Sequence, residues 1–85
     1  MDDATVMGSA TVMDNARVMG NATVMDDATV RGYAIVMNFA RVCDTALVID
    51  NATVMDDATV RGYVIVKDYV RVKGKAEIGG SAIIG

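Results

Sequence analysis

A six-residue phase runs through this chain without a slip. Written in sixes from Ala4, the units are ATVMGS, ATVMDN, ARVMGN, ATVMDD, ATVRGY, AIVMNF, ARVCDT, ALVIDN, ATVMDD, ATVRGY, VIVKDY, VRVKGK, AEIGGS and a partial AIIG. The first position is Ala in twelve of the fourteen units and Val in the other two, Val64 and Val70. The third is Val in twelve, with Ile78 and Ile84 in the rest. The fifth is Gly, Asp or Asn throughout, and the sixth is often Asn, Asp or Ser. A fixed short period marks a repeat architecture, and it constrains every later reading.

The spacing carries the physics. Positions one and three lie two residues apart, so in an extended segment their side chains share a face. Position two lies between them and points away. Gly, Asn and Asp at position five tolerate positive φ and form Asx-type turns. Each unit therefore reads as a very short strand followed by a corner. A period of six does not match the 3.6 of a helix, and a β-branched Val or Ile recurs with Gly, Asp or Asn in every complete unit. A two-residue inward face cannot stand alone. Stacked coils bury the Ala and Val columns in one continuous core. The expectation is an all-β chain: a parallel β-solenoid forming a single domain over residues 1–85, with no linker or insertion.

Composition narrows the function. The chain has 85 residues, 53% of them apolar, and a compact globule of this size is marginal by itself. The net charge of −3 argues against a general nucleic-acid binder, which needs a basic surplus. There is no His, Trp or Pro. Without His there is no imidazole general base, no His-based triad and no His-ligated zinc. Cys43 stands alone, so no intrachain disulfide forms. The opening Met1-Asp2-Asp3 is acidic where a signal peptide is basic, and no apolar run is long enough for a membrane span. A cytoplasmic location and no membrane partner are expected.

The unit resembles the bacterial hexapeptide repeat, an aliphatic residue followed four positions later by a small one. Val6 with Ala10, Val12 with Ala16 and Val18 with Ala22 fit the pattern. The resemblance covers essentially the whole chain. Its Ala-x-Val flavour looks most like the uninterrupted tracts of uncharacterised, transferase-like bacterial proteins. Pentapeptide-repeat solenoids have a period of five, and this phase never drifts from six. The resemblance implies a left-handed parallel β-helix with three hexapeptides per 18-residue coil, and 85/18 ≈ 4.7 coils. The hand comes from the resemblance alone, since the general crossover rule favours the opposite one.

A three-sided coil sorts the outward residues into faces. All seven Met fall in the outward fourth column. Met19, Met37 and Met55 stack 18 apart beside Ile35, and Leu47, Ile49 and Ile65 cluster on another face. Stacked apolar residues mark an interface, and Met adapts to irregular gaps. A homo-oligomer is expected. Relatives that resemble the chain are commonly trimers packed along their faces. Open strand edges at uncapped ends favour end-to-end stacking instead.

Basic residues gather late in the chain: Arg61, Lys67, Arg71, Lys73 and Lys75 against Asp68. They could face an anion, but a solvated rim that discourages edge aggregation explains them more simply. Tyr33, Tyr63, Tyr69 and Phe39 occupy the sixth column at the corners. Aromatics there could stack on sugars or a neighbouring chain; the plainer account is that they cover the turn or fill trimer grooves. The Asp-Asp pairs, such as Asp26-Asp27 and Asp56-Asp57, fit corner roles, and no third metal ligand is apparent among them. Paired outward Thr ladders of an ice-binding kind are broken by Arg41.

Residues 21–37 and 51–67 match at fifteen of seventeen positions. The offset is 30, or five units, which is not a multiple of three. The copy therefore lands on a different face, as slippage in a scaffold would leave it. The resemblance also points to acyl-CoA-dependent acyltransferases, but their His base has no counterpart here. Cys43 has no His to activate it. The expected function is a noncatalytic, self-associating scaffold or interaction module, with no catalytic residue, cofactor or metal. The competing reading is a degenerate or truncated hexapeptide-repeat acyltransferase.

Overall fold

The computed structural model describes residues 4–85. Fourteen two-residue strands follow one another at six-residue intervals, from β1 (Thr5–Val6) to β14 (Ile83–Ile84). The other twelve are β2 (Thr11–Val12), β3 (Arg17–Val18), β4 (Thr23–Val24), β5 (Thr29–Val30), β6 (Ile35–Val36), β7 (Arg41–Val42), β8 (Leu47–Val48), β9 (Thr53–Val54), β10 (Thr59–Val60), β11 (Ile65–Val66), β12 (Arg71–Val72) and β13 (Glu77–Ile78). Among the described residues there is no helix. Every third strand joins the same sheet. The orders are β1-β4-β7-β10-β13, β2-β5-β8-β11-β14 and β3-β6-β9-β12. All pairings are parallel and offset by 18 residues, as in Thr23↔Arg41 and Val36↔Val54. The chain is thus a three-sided β-solenoid with an 18-residue coil, the coil that the resemblance to the hexapeptide repeat implies.

The ladder is regular because each coil repeats the same backbone. The N–H of Thr23 donates to the Ala40 carbonyl at 2.9 Å, and that of Met25 to Val42 at 2.9 Å. The sixth-position N–H also donates one coil on, as from Tyr33 to the Asp50 carbonyl at 2.8 Å. Within a corner, the Ala22 N–H donates back to the Met19 carbonyl at 3.3 Å. Hydrogen bonding therefore continues around the corners, where a buried carbonyl or N–H would otherwise be costly.

Corners turn through one residue. Every fifth-position residue from Gly8 to Gly80 has positive φ, 59–63° at Asp and Asn and 65–78° at Gly. That is the left-handed region, which Gly, Asn and Asp enter at least cost. The residue types at position five follow from this one angle.

The core is the Ala and Val columns alone. Ala22 through Ala58 at position one, and Val24 through Val66 at position three, have no exposed surface. Among the described residues no polar or charged one is buried. Each fully buried Val contributes roughly 1.5–3 kcal/mol of burial. The coils at either end of the described stack are less covered. Val6 is 46% exposed, although it shares column and identity with fully buried Val24.

Candidate functional site

Rigid columns present the outward side chains, so function must be sought on three faces and three corners. The first face belongs to the β1-β4-β7-β10-β13 sheet and the second to the β2-β5-β8-β11-β14 sheet. The third belongs to the β3-β6-β9-β12 sheet. On the third face Met19, Ile35, Met37 and Met55 are half-buried. On the second, Leu47, Ile49 and Ile65 are half-buried, with Leu47 and Ile65 in direct register. The two apolar groups thus occupy separate faces. The first face carries Thr23, Arg41 and Thr59 in one column and half-buried Met25 and Cys43 in the next.

The late basic residues do not form one site. Arg61 follows β10, Lys67 follows β11, and Arg71 lies in β12, so each belongs to a different sheet. Lys73 shares a face with Arg71, and Lys75 lies at the following corner. Lys67 is half-buried, and the other four are exposed.

The corners show what the hexad pattern concealed. Five fifth-position carboxylates, those of Asp14, Asp26, Asp44, Asp50 and Asp56, accept a backbone N–H from one coil on. Asp44 accepts the Gly62 N–H at 3.1 Å, and Asp56 accepts that of Gly74 at 3.1 Å. The N–H of Asp68 reaches Asp50 at 3.3 Å, and that of Asp44 reaches Asp26 at 3.4 Å. On the corner of Asp56 and Gly74, the Asn38 amide also donates to Asp56 at 3.2 Å. The corner acids therefore staple adjacent coils as well as permitting the turn.

One corner gathers more than acids. Ligand atoms of Asp26, Cys43 and Asp44 all lie within 4.8 Å of one another. The 18-residue offset between Asp26 and Asp44 was visible in the sequence, but the approach of Cys43 to both was not. One oxygen of each carboxylate already serves a backbone N–H. Burial pushes the Cys43 thiol above its ordinary value; Asp44 and Asp26 push it further, and Arg61 and Arg41 oppose. A thiol so placed stays protonated at neutral pH and is a poor nucleophile.

The corner aromatics lie open. Phe39 is 61% exposed, Tyr33 63%, Tyr63 70% and Tyr69 81%. Shallow grooves run beside three of them, two between a sixth-position column and the next unit's second-position column and one within a corner. One is lined by Asn15, Arg17, Tyr33 and Ile35, with a volume of about 510 Å³. A second, of about 410 Å³, is lined by Asn21, Thr23, Phe39, Arg41, Asp57 and Thr59. The third carries Asp26, Asp27, Asp44 and Thr45 beside Tyr63.

These features define a parallel β-solenoid with an aliphatic interior, carboxylate-stapled corners and an apolar cluster on each of two outer faces. No protein-family model, curated protein or solved structure matches the chain. Among the described residues no helix is long and apolar enough to cross a membrane.

Proposed function

We propose that this chain is a noncatalytic scaffold that self-associates through its apolar faces, on a left-handed hexapeptide-repeat plan. The observation that carries this reading is the stacking of Met19, Ile35, Met37 and Met55 on one face and of Leu47, Ile49 and Ile65 on another. Flat, rigid and periodic, such faces match copies of themselves. Packing three prisms edge to edge engages two faces of each, in the number the two apolar groups supply. The absence of His supports a noncatalytic role, because the acyltransferases the repeat resembles depend on that base. Copies of this chain are the partner; nucleic acid and membrane are not.

The test is solution mass across a concentration series. The reading expects three chains of 8.9 kDa, or 3 × 8.9 = 26.7 kDa, independent of salt. Met37→Glu combined with Ile49→Glu places charge on both apolar faces and is expected to give a folded monomer. A native chain that is monomeric at every concentration overturns the proposal. So does mass that grows without limit, which would assign association to the strand edges of the end coils.

A further inference from the structure

Phe39 is the chain's single phenylalanine, and it stands at a corner in water. Unlike Tyr33, Tyr63 and Tyr69, it has no hydroxyl to justify exposure. The groove beside it has about 410 Å³ of volume, within the ~300–1,000 Å³ range of small-molecule clefts. Three successive coils supply two residues each. Asn21 and Thr23 lie on one side, Phe39 and Arg41 in the middle, and Asp57 and Thr59 on the other.

We propose that this groove binds a pyranose sugar, either free or as one unit of a glycan. A sugar ring has a C–H face and a rim of hydroxyls. Phe39 offers a flat apolar platform whose electron-rich face suits polarised C–H groups. Each rim hydroxyl both donates and accepts, and the groove supplies both functions. Arg41 donates, Asp57 accepts, and the Asn21 amide and the Thr23 and Thr59 hydroxyls do either. Opposite charges in one groove disfavour strongly charged ligands, since an anion meets Asp57 and a cation meets Arg41. A neutral polyol meets neither penalty.

The other grooves fit less well. The corner with Asp26, Asp27 and Asp44 holds three carboxylates, two of them engaged with backbone N–H groups. The groove at Tyr33 holds Arg17 and Asn15 but no carboxylate. The Phe39 groove is also held in place by the ladder. The N–H groups of Thr23, Arg41 and Thr59 donate to Ala40, Ala58 and Ala76, each at 2.9 Å. Its columns are therefore set before a ligand arrives, which lowers the ordering cost of binding. The inference is independent of the self-association proposal, whose apolar residues lie on the other two faces.

The experiment is a titration of the ¹⁵N–¹H spectrum of the full chain. The probes are methyl β-glucopyranoside, methyl β-galactopyranoside, cellotetraose and chitotetraose. At least one is expected to give saturable shifts centred on Thr23, Phe39, Arg41 and Thr59. Equal affinity for methyl glycoside and tetrasaccharide assigns the site to a single sugar; tighter tetrasaccharide binding assigns it to a glycan. Phe39→Ala is expected to weaken binding about tenfold while leaving the fold intact, and Arg41→Ala and Asp57→Ala roughly threefold each. Tyr33→Ala is expected to bind as the native chain does. No saturable shift with any probe overturns the proposal, as does a Phe39→Ala variant that binds like the native protein.

Discussion

The Asp44 carboxylate accepts the backbone N–H of Gly62 at 3.1 Å, one coil further along the chain. The same residue turns its own corner at φ 60°. Asp44→Ala removes the bond, at about 1 kcal/mol, and leaves a side chain ill-suited to the left-handed region, at about 1 kcal/mol more. Asp44→Asn keeps an acceptor oxygen and tolerates that region, so it is expected to cost less than half as much. Urea unfolding of the two variants beside the native chain measures both. Equal midpoints for Asp44→Ala and the native protein would remove the corner staple from the account of stability.

Two glycines separate backbone angle from crowding. Gly62 and Gly74 have φ of 77° and 67°. A Cβ at Gly62 would lie 2.5 Å from the Gly80 carbonyl oxygen, whereas one at Gly74 meets nothing within 4 Å. Gly74→Ala is expected to cost about 1 kcal/mol from φ alone. Gly62→Ala should cost at least twice that, because adjacent coils must part. Thermal melts that rank the two variants equally would show that coil spacing yields without penalty.

Burial along the stack predicts a gradient for one substitution. Val54→Ala removes methyl groups with no exposed surface and opens a cavity, at roughly 2 kcal/mol. Val6→Ala acts on a side chain already 46% exposed and is expected to cost about 0.5 kcal/mol or less. Chemical denaturation of the pair checks the ratio. Equal costs would mean that the first described coil is as well covered as the interior.

Cys43 makes stability depend on pH in the alkaline range. Burial first, then Asp44 and Asp26, raises its folded pKa above the unfolded one. Between the two values the native state holds more protons than the unfolded state. The contribution is therefore complete below the unfolded pKa and is lost as pH rises through the folded one. Native and Cys43→Ser chains should match in pH dependence up to about pH 8 and diverge above it, the native chain losing more. Slow alkylation of folded Cys43 at pH 8, relative to urea-unfolded chain, is the companion measurement. Alkylation at equal rates in both states would contradict the raised pKa.

The sequence revealed the fold because two periods agree in it. Alternation by two sends Ala34 and Val36 inward and Ile35 outward, and the repeat by six leaves no other arrangement that buries both columns. The left-handed corner angles were legible for the same reason, since Asp50 and Gly32 share a need rather than a chemistry. Exposure at the end coil was not legible: Val6 and Val24 are the same residue in the same column, and only the neighbouring coils differ. Nor was the approach of Cys43 to Asp26 and Asp44, which depends on how fourth- and fifth-column side chains lean at a corner. The Phe39 groove was hidden by the way hexads are written. It joins the sixth position of one unit to the second of the next, across three coils, and a unit-by-unit reading separates those columns.

The coil-to-coil ladder also sets how the molecule would respond to force. Its backbone hydrogen bonds run along the stack, perpendicular to the strands they join. Tension applied through the two ends of the stack meets those bonds in series, one coil at a time. Each detachment would free 18 residues, roughly 60 Å of extended chain at ~3.4 Å per residue. Tension along a strand would instead load many bonds together. A rod of this design peels lengthwise in even steps and resists shear across its faces.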